Sequence, residues 1–125
     1  MRIFEYSANG MLTPGEKQVL RLQAEICKTL SNPRRLEILH ELREGEKTVG
    51  ELCVATGMRQ ASVSQQLGLM RHRKLVTERR SGNSVLYRIV DKRITRACDM
   101  MRDVLIRQAN EDSKLVQLVS ASSRS

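Results

Sequence analysis

The chain has no tryptophan, one phenylalanine and two tyrosines among 125 residues. Proteins that hold single strands or RNA loops stack bases on aromatic side chains, and this sequence has too few to build such a platform. Long apolar runs are missing as well, so no segment is expected to span a bilayer. The first residues, MRIFEYSANG, lack the apolar stretch of a secretion signal, which predicts a cytoplasmic protein. Cysteine is scarce and odd in number, at three, so a disulfide scaffold is not expected, whereas buried or redox-active thiols are. The two histidines, His40 and His72, are too isolated to make a tetrahedral metal site. There is no CxxC, and neither histidine neighbours a cysteine, so the nucleophile-and-base pattern of a thiol enzyme is missing. The expectation is therefore a protein that is not an enzyme and carries no metal or cofactor.

What is present is positive charge, concentrated in one place. The formal net charge is +8, and 40% of residues are hydrophobic, enough for one packed domain. Between Met58 and Arg93 nine basic residues (Arg59, Arg71, Arg73, Lys74, Arg79, Arg80, Arg88, Lys92 and Arg93) face only Glu78 and Asp91, a net of +7. The rest of the chain is almost neutral. A segment so charged is either a solvated face or a polyanion-binding surface, and the local architecture decides between them.

Residues 1–12 show no period and are expected to form a flexible arm. Thr13-Pro14-Gly15-Glu16 has the form of a capping box with proline at the first helical position, and Val19, Leu22, Ile26 and Leu30 continue as one apolar stripe. Asn32-Pro33 starts a second helix carrying Leu36, Leu39 and Leu42, with Gly45 placed to end it. Thr48-x-x-Glu51 opens a short third helix that stops at Gly57. Gln60 to Lys74 reads as a fourth, with Val63, Leu67 and Met70 inward. Leu75–Arg80 and Val85–Val90 are rich in strand formers and flank Ser81-Gly82-Asn83-Ser84, a hairpin in which Gly82 and Asn83 supply positive φ angles. Asp91 caps a last long helix with Ile94, Cys98, Met101 and Leu105 on its stripe, continued by Leu115 and Leu118. Residues 119–125 are expected to be a disordered tail, leaving 13–118 as the folded domain.

The order is mainly α, with α-α-α-α-β-β-α topology, and its third and fourth helices form a helix-turn-helix followed by a two-stranded wing. A second helix that enters the major groove should present hydrogen-bonding groups rather than charge alone. Its opening turns read Arg59-Gln60-Ala61-Ser62-Val63-Ser64-Gln65-Gln66. Glutamine pairs bidentately with adenine and serine bonds base edges or phosphate, so Gln60, Ser62, Ser64 and Gln65 are the candidate readers. On the hairpin, Arg79, Arg80 and Asn83 are placed to follow the backbone or enter the minor groove. Arg71 is a candidate phosphate contact. An architectural DNA-binding protein would need apolar wedges or a diffuse basic surface, and the concentrated Gln/Ser helix argues for readout of a defined site instead.

At this point LSNPRRLEILHEL and KTVGELCVATGMRQASVSQQLGLMRHRKLVTERRSGNSVLYRI resemble the ArsR/SmtB family of bacterial winged-helix repressors, from about Leu22 to Ile106. The family's LSNPxRLxIL, VSxxL and RRxGxxxxYR patterns all occur, in order. Arg59 departs from it, standing where a serine-like helix cap is usual. The resemblance implies a homodimer paired through its first and last helices, double-stranded DNA with a pseudo-palindromic operator as partner, and release by an inducer or by thiol chemistry. Size independently favours a dimer, since one winged module covers only a short half-site. Met100, Met101, Val104 and Leu105 are the candidates to face the second copy.

The sensor is less well marked. Metal-sensing relatives carry ELCVxD on the third helix; here ELCV supplies Cys53 but Ala55 and Thr56 follow, so the second thiolate and the carboxylate are missing. The zinc positions of the last helix fall on Asp91, Arg93, Val104 and Arg107, and arginine does not ligate a cation. A branch of the family that senses reactive sulfur or oxidants uses two cysteines, one of which falls here on His40. Cys53 and Cys98 are the sensor thiols expected in its place, attacking sulfane sulfur or peroxide and resolving as a bridge. Arsenite binding by the three cysteines is the alternative. Cys27 is expected to pack in the core.

Overall fold

The computed structural model describes residues 10–110 and 113–122 of the chain. These form two compact units, one running to Val90 and the other starting at Asp91.

The first unit contains α1 (Pro14–Leu30), α2 (Pro33–Leu42), α3 (Val49–Thr56), α4 (Gln60–His72), β1 (Val76–Ser81) and β2 (Ser84–Ile89). Its helix starts are chemical. Thr13 Oγ1 accepts from Glu16 N at 3.2 Å while Glu16 Oε1 accepts from Thr13 N at 3.3 Å, and Thr48 and Glu51 repeat the exchange at 3.1 and 3.0 Å. These reciprocal bonds satisfy donors that the helix itself leaves without partners. Asn32 Oδ1 accepts from Arg34 N and Arg35 N, and Pro33 occupies the first helical position, where its missing N–H costs nothing.

The core of this unit gathers Ile38, Leu39 and Leu42 of α2, Leu52 of α3, Val63, Leu67 and Met70 of α4, and Leu75, Val76 and Ile89 at the base of the hairpin. The three α4 positions are those set by helical spacing. On α2 the expectation is only partly met: Leu39 and Leu42 are buried, Leu36 lies at the exposed edge, and Ile38 takes an inner place. α1 differs further. Val19 and Leu22 of its apolar stripe are exposed, Ile26 and Leu30 are half-buried, and Cys27, expected in the core, is exposed.

The strands pair antiparallel in the register Val76↔Ile89 to Ser81↔Ser84, so Gly82 and Asn83 alone make the turn. Gly82 has φ +60°, but Asn83 is not in the left-handed region, contrary to the expectation for both. One positive φ at the first central residue is the mark of a type II′ turn, which matches the twist of the strands. An isolated bridge from Lys47 to Tyr87, with N–O distances of 3.0 and 2.9 Å, joins the segment before α3 to β2. The turn from α4 into β1 is made by Lys74, the one non-glycine described residue at positive φ, +61°. Lys74 N bonds the Arg71 carbonyl and Leu75 N bonds the Met70 carbonyl, both at 2.9 Å, which closes α4 as a Schellman motif.

The second unit holds α5 (Lys92–Ala109) and α6 (Ser113–Ser122). Asp91 caps α5 as expected, accepting from Arg93 N at 2.9 Å. The long helix does not continue to residue 118: it ends at Ala109 and a sixth helix starts at Ser113, covering part of the segment expected to be a disordered tail. The expected arm lies outside the described residues up to residue 9, as does the tail beyond Ser122. No helix among the described residues is long and apolar enough to cross a membrane.

Candidate nucleic-acid interface

Two glycines set the geometry of this face. Gly57, at φ +73°, ends α3 in the left-handed conformation and donates its N–H to the Cys53 carbonyl at 2.9 Å. A side chain there would be strained even though the space is open. Thr56 Oγ1 donates to the Leu52 carbonyl at 2.7 Å and accepts from Met58 N at 3.3 Å, fixing the turn. α4 then starts at Gln60 with Arg59 in extended backbone at the N-cap position, making no side-chain cap bond. The departure at Arg59 therefore leaves the helix start where the sequence places it, and leaves its first N–H groups without a side-chain acceptor.

Val63, Leu67 and Met70 are completely buried, which fixes the rotation of α4 about its axis. Gln60, Ser64 and Gln65 are consequently turned to solvent, whereas Ser62 is half-buried. Four of the wing and helix candidates fall into two groups. Arg71 is ion-paired with Glu78 of β1, and Arg79 holds Glu46 in a two-pronged pair at 2.7 and 2.9 Å. The side chains of Arg80 and Asn83 are exposed and make no hydrogen bond or ion pair among the described residues. Alternation along β1 explains the split, because Arg79 and Arg80 point to opposite faces of the hairpin. The Arg79 guanidinium, donating to Glu46, holds that carboxyl below its ordinary range. Burial raises the Tyr87 phenol, and its bond to Glu78 adds to the rise.

Sequence reasoning missed Arg35. Its Nε donates to Gln66 Oε1 at 2.8 Å and its Nη1 donates to the Thr29 carbonyl at 2.9 Å, bridging α1, α2 and α4. The only signal for it was its place in the LSNPxRLxIL pattern.

All three cysteines are thiols. Cys53 on α3 and Cys98 on α5 are half-buried. Cys53 belongs to the first unit and Cys98 to the second. Among the described residues no three His, Cys, Asp or Glu side chains come together as a ligand set for a metal ion.

A helix, a tight turn, a second helix with an uncharged polar outer face and a two-stranded hairpin define a winged helix-turn-helix domain, built to bring one helix to the major groove. Comparison with known proteins specifies it further. The model of the bacterial regulatory protein arsR family matches residues 32–78, and the transcriptional regulator Rv0081 of Mycobacterium tuberculosis is 40% identical over 88 residues, 70% of this chain and 77% of that one. The chain belongs to the ArsR family of transcriptional regulators, which are not enzymes. The biofilm growth-associated repressor of Xylella fastidiosa is 34% identical over the same shares of the two chains. The crystal structure of Rv0081 superposes with a TM-score of 0.68, at 37% identity over 75% of this chain and 95% of that one. The homodimeric winged helix-turn-helix domain of Mb0332 from Mycobacterium bovis, solved by NMR, gives 0.71 at 30% identity over 79% and 92%.

Proposed function

We propose that this protein is a cytoplasmic, sequence-specific transcriptional repressor that binds a pseudo-palindromic operator as a homodimer and is released by modification of its cysteine thiols. The observation that carries the DNA reading is the orientation of α4: complete burial of Val63, Leu67 and Met70 turns Gln60, Ser64 and Gln65 outward together. These side chains donate and accept at base edges, with Ser62 beside them reaching phosphate. Arg80 and Asn83 are unengaged polar groups of the wing, whereas Arg71 and Arg79 have their charges balanced in ion pairs with Glu78 and Glu46. Dimerisation is supported by apolar side chains left open on both units: Val19 and Leu22 on α1, and Met100, Met101, Val104 and Leu105 on α5. Met100 is 71% and Met101 67% exposed, more than an isolated soluble chain leaves in one stretch without cause.

Binding to a duplex selected by the protein from a random pool, compared with a random duplex of equal length, tests the reading. A preference of a thousandfold or more is the expected result. Equal affinity for both points to an architectural role instead.

For the signal, Cys53 and Cys98 are the proposed sensor thiols. Cys53 is half-buried one turn ahead of Gly57, where the chain bends into α4, so an added sulfur or a bridge there acts directly on the start of the reading helix. Arsenite finds less support, since no three-ligand group exists among the described residues. Mass spectrometry after polysulfide or arsenite treatment, paired with DNA binding by Cys53→Ser and Cys98→Ser, separates the two. Unchanged release in both variants would sink the switch.

A further inference from the structure

The Arg35 side chain, in the first unit, bonds to two other helices at once. It sits in the first turn of α2, two residues beyond the Pro33 that starts the helix. Nε donates to Gln66 Oε1 on α4 at 2.8 Å, and Nη1 donates to the carbonyl of Thr29 at the end of α1, at 2.9 Å. The Thr29 carbonyl is one of those a helix C-terminus leaves without a helical partner, so the guanidinium satisfies it. Beside this bridge the helix junction and α4 border an open cleft of about 380 Å³, lined by Leu69 of α4 and by polar and charged groups, Lys28, Asn32 and Arg35 among them. Across it α4 is tied to α1 by the Arg35 bridge and by an exposed ion pair, Arg73 with Glu25 at 3.4 Å. Packing by Val63, Leu67 and Met70 holds the inner side of α4. On this outer side, polar bonds set its distance and tilt.

We infer that Arg35 is a specificity-determining positioning residue, which fixes the reading helix relative to α1 through Gln66 without itself touching DNA. The inference rests on the proposed DNA-reading role of α4. Gln66 adjoins the exposed Gln65, so a helix freed at Gln66 changes the angle at which Gln65 and Ser64 meet the base edges. Displacements of that size lower affinity for the matched sequence and leave phosphate attraction intact. The planar fork matters: a lysine has one ammonium where arginine spans two acceptors in fixed geometry.

The test uses the full chain with two duplexes, one selected from a random pool by the wild-type protein and one of random sequence. R35A and Q66A are each expected to lose tenfold or more on the selected duplex, to stay within about twofold on the random one, and to keep the wild-type salt slope. The double variant R35A/Q66A is expected to lose no more than the stronger single, since both remove one bridge. R35K is expected to fall between. A folded R35A with an unchanged preference overturns the inference. A fall on both duplexes alike with a salt slope reduced by about one also overturns it, because Arg35 is then a phosphate contact. If R35A does not fold, Q66A decides, since it leaves the Thr29 bond in place: loss of preference supports the bridge and an unchanged preference overturns it. A wild-type protein with no preference at all overturns the DNA reading and this inference together, whereas preference that survives the substitutions overturns this inference alone.

Discussion

Arg79 on the wing grips Glu46, the residue before the bridge at Lys47, with two hydrogen bonds at 2.7 and 2.9 Å. The pair spans 33 residues of sequence and joins the rising strand of the hairpin to the segment before α3. It also balances a positive charge of the wing, whereas the next residue, Arg80, on the opposite face of the hairpin, keeps its own.

Glu46→Gln is therefore expected to raise affinity for a random duplex and to steepen its salt dependence by about one counterion, because the pair changes from neutral to +1. Arg80→Ala is expected to do the opposite, weakening all sequences alike and lowering the slope by about one. Titrations of binding against salt check both. A slope that neither substitution moves would place the wing away from the phosphates.

Leu67 and Gln65 lie two positions apart on α4 with opposite fates. Leu67→Ala empties a fully buried site and is expected to cost about 3 kcal/mol in urea unfolding. Gln65→Ala is expected to change stability by less than about 0.5 kcal/mol and to relax preference at one base position. Parallel unfolding and selection experiments on the two variants measure both effects.

A charge on the open face of α5 is expected to separate the dimer. Met101→Glu or Leu105→Glu places a carboxylate where a partner's apolar surface is proposed, and either variant is expected to sediment as a monomer. Operator affinity should drop by two orders of magnitude or more, since two half-sites no longer act together. A variant that stays dimeric assigns the interface elsewhere.

Asp91 makes the start of α5 sensitive to acid. The side-chain bond from Arg93, with the Arg93 backbone N–H beside it, lowers its carboxyl from 3.8 to about 2. A depressed carboxyl stabilises the fold above its ordinary value, and that contribution is lost as the pH falls from about 4 towards 2. Helical signal or amide protection in α5 should decline over this window in the wild type. In Asp91→Asn the decline is expected to vanish, since an amide still caps the helix but does not titrate.

Most helix starts were legible because their determinants are local. Thr13 with Glu16, Thr48 with Glu51, Asn32 and Asp91 act within three residues of their partners, so their positions in the sequence already determine the helix starts. Val63, Leu67 and Met70 follow from helical spacing. Of the four candidate readers picked for their hydrogen-bonding chemistry, Gln60, Ser64 and Gln65 are exposed and Ser62 is half-buried. What escaped depends on partners distant in sequence or outside the chain. Nothing near Arg79 or Arg35 announces Glu46 or Gln66, which lie 33 and 31 residues away. Cys27 is expected in the core because free cysteine is among the most buried residue types, yet it lies exposed on α1, as do Val19 and Leu22. The helix break after Ala109 has no glycine or proline to mark it.

Lys74 carries a last consequence. A lysine in left-handed backbone costs the fold about 1 kcal/mol that glycine would not. The same side chain puts a cation at the root of the wing, beside Arg73 and three residues from Arg71. At this one turn, resistance to heat and attraction to a polyanion pull in opposite directions. A population of this chain selected for thermostability alone would drift towards glycine there, and so towards a tougher protein with a looser hold on its DNA.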